Sequence, residues 1–301
     1  MQSKPQNPSN KHHFVPEFLL CEWKNAKGEV YRYARNGVGQ ITSKPLAPGG
    51  MGYRPGLYAT EGLPLENKQQ VEALFMEPLD TAADRAHQLL LDGKVRSLTD
   101  EQCCRWASLI MSLWFRTPGD VGGIREAVDT LLDAEIGKTL LGLEVPTDFP
   151  EAVKNQLAME AMMRAIDDPD RGTELINMHW DVIEIDRQRE FFISDAPLCQ
   201  PKSFAWLGAP QSYLAMPIAP TKLFIACSSP TLAAALKMLP QRELVQRQNR
   251  AAVTQAEHFV GATDQSADKF IRANFGTAER ASLTRDLAGK YRAAALEAAG
   301  V

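Results

Sequence analysis

The sequence predicts an α+β fold: a mostly antiparallel sheet formed from strands at the N-terminal end and in the C-terminal half, a central helical block over about 66–168, and C-terminal helices. Three observations lead there. Apolar and polar residues alternate over 29–33 and again over 180–185, the pattern of half-buried strands. From Asn67 the period turns helical, with Val71, Leu74, Phe75 and Leu79 three or four residues apart. Strand-like segments return only after the Asp167-Asp168-Pro169-Asp170 cluster. Strands and helices therefore come in blocks, without the βαβ alternation of a doubly wound parallel sheet.

The elements follow in order. Residues 1–10 are polar, with Pro5 and Pro8, and read as a mobile tail ahead of a single domain over 11–301. Lys11-His12-His13-Phe14-Val15-Pro16 starts extended, because Pro16 holds Val15 out of the helical region. Residues 17–23 then read as a short helix with Pro16 near its first turn. The strand at 29–33 follows a turn at Gly28, and 40–42 returns after Gly37 and Gly39. Residues 45–56, PLAPGGMGYRPG, read as a loop that lacks the Lys-Ser/Thr ending of a P-loop.

Within the helical block, Pro78 is expected to kink or restart the chain. Thr99 and Gln102 have capping-box spacing. Behind them Trp106, Leu109, Ile110 and Leu113 form the apolar stripe of a core helix, which Pro118 and Gly119 end. Further helices are expected over 124–141 and 151–166. Residues 180–185 and 190–194 read as a hairpin, and 213–217 and 222–227 as two more strands. Helices over 241–258 and 278–299 close the chain, with Gly300 as a stop.

Composition narrows the function classes. The chain has 301 residues, 45% hydrophobic and 23% charged, enough to bury a real core. A net charge of −4 argues against a broad basic surface that wraps nucleic acid, while leaving room for a local basic cleft. No apolar run approaches the roughly 20 residues that cross a bilayer. The N-terminus has no apolar signal core, so the expectation is a cytoplasmic protein without a membrane partner. Five cysteines without a C-x-x-C read as reduced thiols rather than a zinc site or disulfide framework.

Two of the five histidines stand together at His12 and His13. Histidine serves metal ligation and acid–base work near neutral pH. On an extended segment the two imidazoles point to opposite sides, so one ligand plus one base fits better than two ligands for one ion. The alternative is a packing pair. The string also resembles the [DH]-H-x-x-P strand of HNH nucleases, but no histidine follows until His87. His87, His179 and His258 sit in contexts that read as structural or solvent-facing.

A wider resemblance rests on several short elements in order: KHHFVPEFLL, an acidic helix over 71–88 with Glu72 and Glu77, Arg116-Thr117-Pro118, Phe192-Ile193-Ser194-Asp195-Ala196-Pro197, Met216-Pro217-Ile218-Ala219-Pro220, and a helix led by Asn249. Together these resemble the uncharacterised bacterial HHFVP family, domain of unknown function 4238, over roughly 11–260. Two elements depart from its pattern, with Ala196 for the usual Asn and Ile218-Ala219 for the usual Leu-Ser.

The resemblance groups His12, His13, Glu72 or Glu77, Arg116 and Asp195 as one candidate site. Such residue types suit a metal-dependent hydrolase of nuclease or phosphodiesterase type. His12, Glu77 and Asp195 would hold a divalent ion (Mg, Mn or Zn), and the second imidazole would activate water. Arg116 would neutralise phosphate charge, with Asn249 as a further substrate contact. The expected partner is nucleic acid or another phosphodiester. In the other reading the same groups form a buried structural network in a non-catalytic binding or interaction module; taken singly, Arg116 reads as a helix cap, Asp195 as an Asx-turn, and Glu72 and Glu77 as a solvated helix face.

Overall fold

A computed structural model describes residues 10–60, 62–142, 144–146, 148–199, 207 and 209–299. Residues 1–9 of the expected tail and the stop at Gly300 lie outside them. The fold is α+β with antiparallel sheets flanking a helical block in sequence.

The chain opens with strand β1, Lys11–His13, followed by helix α1, Glu17–Cys21, which has Pro16 at its N-cap. Strands β2, Val30–Arg35, and β3, Ile41–Leu46, form the expected hairpin. The stretch that reads as a loop carries strand β4, Tyr53–Pro55, paired with β1. Gly52 explains this return. The N–H groups of Phe14 and Val15 both donate to its carbonyl, at 2.8 and 3.1 Å. It adopts φ +67°, and a Cβ there would lie 3.0 Å from Leu20 and 3.2 Å from the Val15 carbonyl. The glycine-rich run therefore packs against the HHFVP segment instead of looping into solvent.

The helical block comprises α2, Leu65–Lys68, α3, Glu77–Leu91, α4, Asp100–Ser112, α5, Pro118–Leu131, α6, Ala134–Leu141, α7, Glu151–Ile166, and α8, Pro169–Ile176. No strand interrupts it among the described residues. A π-helical turn at Glu72–Met76 leads into α3, where Pro78 occupies the first turn and needs no N–H partner. The capping box forms as expected: Thr99 accepts from the Gln102 N–H while Gln102 accepts from that of Thr99. Pro118 also starts a helix, with Thr117 as its cap. The single helix expected over 124–141 is two, because Asp133 caps a fresh start by accepting the N–H groups of Glu135 and Ile136.

After the block come β5, His179–Glu184, β6, Ile193–Ser194, β7, Tyr213–Ala219, β8, Lys222–Cys227, α9, Pro230–Lys237, α10, Gln241–Thr254, β9, Val260–Ala262, α11, Asp268–Asn274, and α12, Leu287–Ala299. The hairpin expected between 180–185 and 190–194 is absent. β5 pairs with β8 in a sheet ordered β5-β8-β7, whereas β6 joins a second sheet ordered β3-β2-β9-β6. Phe191 through Ser194 are buried, so this segment belongs between layers and not on a half-exposed hairpin. β9 lies beyond the expected helix, which ends at Thr254 rather than 258. Gly261 admits it to the centre of the sheet, since a Cβ there would sit 2.7 Å from the Ile193 side chain.

Among the described residues the core falls into four clusters, two of which lie under the N-terminal segment and the β5-β8-β7 sheet. Phe14, Val15 and Trp23 pack with Ile124 and Met159 of α5 and α7. Trp106 and Ile110 of α4 pack with Leu214 and Phe224 of the β5-β8-β7 sheet. Among the described residues no helix is long and apolar enough to cross a membrane.

Candidate functional site

The β1–β4 pairing fixes the two histidines on opposite sides, as strand geometry requires. His12 points inward and is fully buried. Its Nδ1 accepts the Tyr58 N–H at 2.8 Å, its Nε2–H donates to Gln69 Oε1, and its ring stacks on Tyr58. Burial lowers its pKa against the Gln69 bond, keeping it neutral. With both nitrogens engaged, the ring has no lone pair left for the metal expected there.

His13 lies on the other side beside Tyr53, and its Nε2 is buried without a hydrogen-bond partner. Burial lowers its pKa, with Glu17 and Asp80 acting against this. The fully buried Arg116 explains the local charge balance. It donates to both oxygens of Asp80 at 2.8 Å, to Ser112 Oγ at 3.0 Å and to the His13 carbonyl at 3.0 Å. The Tyr58 hydroxyl bonds the Arg116 carbonyl at 3.0 Å. The expectation for Arg116 is a place against substrate phosphate; its guanidinium instead ties α4 and α3 to the HHFVP segment.

The two candidate glutamates differ. Glu72, on the π-turn, has one buried carboxylate oxygen without a partner, and burial raises its pKa to about 7 against the pull of Arg116. Glu77 is exposed at the start of α3, so the structure gives no support for it as a ligand alongside His12 and Asp195. The carboxylate that meets Arg116 is Asp80.

Asp195 belongs to a second cluster. It follows β6, is fully buried, and accepts the N–H groups of Glu257 and Phe259, both at 3.0 Å. Burial pushes its carboxyl up, while these N–H groups and His258 pull the other way. The expected convergence thus divides: His13, Glu72 and Arg116 share one neighbourhood, and Asp195 sits in another. Phe14, whose ring packs on His258 and Phe259, stands between them. Asn249 is also committed to structure, accepting the Phe192 N–H at 2.9 Å and donating to the Glu190 carbonyl at 2.8 Å. That clamp holds the segment entering β6.

Asp195, Glu257 and His258 bring one ligand atom each to within 4.8 Å of one another, the one such group among the described residues. Glu257 and His258 also line a cleft of about 530 Å³ with Arg32, Arg35, Tyr53 and Arg54. Arg35 is engaged by the Phe275 carbonyl at 3.1 Å and lies over the Phe275 ring. Arg32 and Arg54, in contrast, form no ion pair among the described residues. Burial pulls the Arg32 pKa down, and the more distant charge of Asp195 offsets part of this. A partly desolvated guanidinium with no carboxylate in direct contact is stabilised by an incoming anion, phosphate above all. Beside it, two carboxylates and the unpartnered Nε2 of His258 make a mixed oxygen–nitrogen donor set of the kind that holds Mn²⁺ or Zn²⁺.

Arg32, Arg54, Glu257 and His258 escape the sequence reading. His258 reads as structural or solvent-facing there, and Glu257-His258 carries no spacing pattern. The alternation over 29–33 places Arg32 on a defined face, but nothing local shows that this face borders a cleft, and Arg54 falls in the stretch that reads as a loop. The family model described as "Protein of unknown function (DUF4238)" matches residues 11–266. No curated protein and no solved structure matches the chain.

Proposed function

Since the chain belongs to the DUF4238 family, whose function is undescribed, we propose from its own geometry that it recognises a phosphate-bearing ligand in the arginine-lined cleft and hydrolyses a phosphodiester there with a divalent cation. The observation that carries this reading is the placement of Arg32 and Arg54, which form no ion pair among the described residues, in the same cleft as Glu257 and His258, with the buried Asp195 bringing a ligand atom within 4.8 Å of theirs. The cleft volume falls within the usual range of small-ligand sites. Arg32 and Arg54 would neutralise and orient phosphate oxygens, and Tyr53 would offer a ring to a sugar or base. Asp195, Glu257 and His258 would hold the cation, which supplies Lewis acidity when bound. Asp195 retains lone pairs beyond its two backbone bonds, so the donor set fits such an ion.

A specific observation favours a second reading, recognition without cleavage. Asp195 already braces the 257–259 backbone, and Glu257 is paired with Arg285. Both readings share the anion site, and one experiment separates them. Binding of pyrophosphate and of short single-stranded DNA and RNA is measured calorimetrically on wild type, Arg54→Glu and His258→Ala. Cleavage is followed with Mn²⁺, Mg²⁺ or Zn²⁺. The hydrolase reading expects Arg54-dependent binding and metal-dependent cleavage lost in His258→Ala. Binding without cleavage leaves the recognition reading standing. Absence of any Arg54-dependent anion binding sinks both.

A further inference from the structure

The segment between α11 and α12, residues 277–286, lies beyond the family-matched residues and reaches Glu257 at the edge of the cleft. It is fastened firmly along its middle, at residues 280, 282 and 284. Arg280 donates to Asp120 Oδ1 at 2.7 Å and to Thr117 Oγ1 at 3.0 Å. Ser282 and Thr284 donate to the same Asp120 oxygen at 2.7 and 3.1 Å. This anchor is dry, with side chains 5% and 0% exposed for Arg280 and Asp120. Close contact with α5 requires Gly123, where a Cβ would lie 2.7 Å from the Thr284 carbonyl oxygen. A glycine inside a helix otherwise weakens it, so the contact accounts for the residue.

The side chain of Arg285, just past this anchor, is looser and meets the candidate site. Arg285 pairs with Glu257 and, at 3.1 Å, with Glu279, while Arg280 Nε lies 3.6 Å from Glu257. Here the side chains of Arg285 and Glu257 are 40% and 29% exposed, so solvent screens the contact and opening costs little. Two guanidiniums on Glu257 also repel any cation that approaches it.

We propose that residues 277–286 form a clasp over the Glu257 end of the cleft, hinged on the buried Arg280–Asp120 anchor, and that lifting Arg285 off Glu257 is what opens the site to a divalent cation. The inference rests on the cation-site reading of Asp195, Glu257 and His258. In the clasped state Glu257 is neutralised internally. In the open state only Arg280 stays near it, and the carboxylate, which already lines the cleft, loses its closer counter-ion.

Two variants open the clasp by independent routes. Arg285→Ala removes the exposed pair and spares the anchor. Gly123→Ala pushes the Thr284 carbonyl away and touches no charge. Hydrogen–deuterium exchange over 277–286 reports opening, and calorimetric titration with Mn²⁺ alone reports the site. Faster exchange is expected in both variants, with Mn²⁺ bound about fivefold more tightly than by wild type, the most that loss of one exposed pair supports. Equal Mn²⁺ affinity in wild type and opened variants overturns the clasp and leaves the cation site intact. No Mn²⁺ binding by any protein, with exchange showing the segment open, overturns the cation site and the clasp with it. Unchanged exchange in both variants overturns the clasp by itself.

Discussion

Replacing Arg116 tests whether the HHFVP segment is held by structure or by chemistry. The guanidinium has no exposed surface and makes four charge-assisted hydrogen bonds, two to Asp80 and one each to Ser112 and the His13 carbonyl. Arg116→Met keeps much of the apolar stem but strands Asp80, whose side chain is 20% exposed, and leaves the His13 carbonyl without this donor. Breaking such a pair by removing one partner costs about 3–5 kcal/mol. That is a large share of the roughly 5–15 kcal/mol that holds a native protein together. At about 2–4 °C per kcal/mol for a chain somewhat shorter than this one, the melting temperature should fall by roughly 10 °C. Arg116→Lys keeps the charge and loses the planar fork, so its cost should be smaller, about 1–2 kcal/mol. Urea denaturation of both variants, with Asp80→Asn to close a double-mutant cycle, measures the coupling. A loss under about 1 kcal/mol for Arg116→Met, the range of exposed pairs, would refute the argument and return Arg116 to the candidates for substrate contact.

Two further outcomes follow from the same structure. Glu72 carries a folded-state pKa of about 7 against an ordinary 4.5, so the native state keeps a proton that the unfolded chain releases in between. Stability from this group therefore falls as pH rises from about 4.5 to about 7 and levels off above. Glu72→Gln should gain about 1–2 kcal/mol on wild type at about pH 8 relative to about pH 4.5, after allowance for solvent screening, and a flat difference in urea midpoints across that range would contradict it. Asn249→Ala removes the clamp on the Phe192 N–H and the Glu190 carbonyl, and should cost about 2–3 kcal/mol in thermal or urea unfolding. If it instead weakens anion binding at unchanged stability, Asn249 is a ligand contact and not a brace.

Periodicity and punctuation along the chain determine much of this protein by themselves. The change of period at Asn67 marks the helical block, because a 3.6-residue stripe cannot sit as a strand. Thr99 and Gln102 mark a helix start through bonds that close within three residues, and Pro16 holds Val15 extended through its own ring. The family grouping is likewise readable, from short motifs whose order survives along the chain. Tertiary structure alone decides the pairings and the site. Whether 190–194 folds back on 180–185 or enters another sheet depends on layers that its own residues do not encode, and Asn249, fifty-odd residues away, holds it in place. The motif residues look like chemistry because polar side chains on apolar segments are costly, and that cost can be met in two ways. His12, Arg116 and Asn249 meet it with partners inside the protein, while Arg32, Arg54 and the unpartnered nitrogen of His258 are left facing or bordering a cleft. Residue type is visible in a sequence, but the partner that completes each polar group comes from a distant element, and only the fold brings the two together.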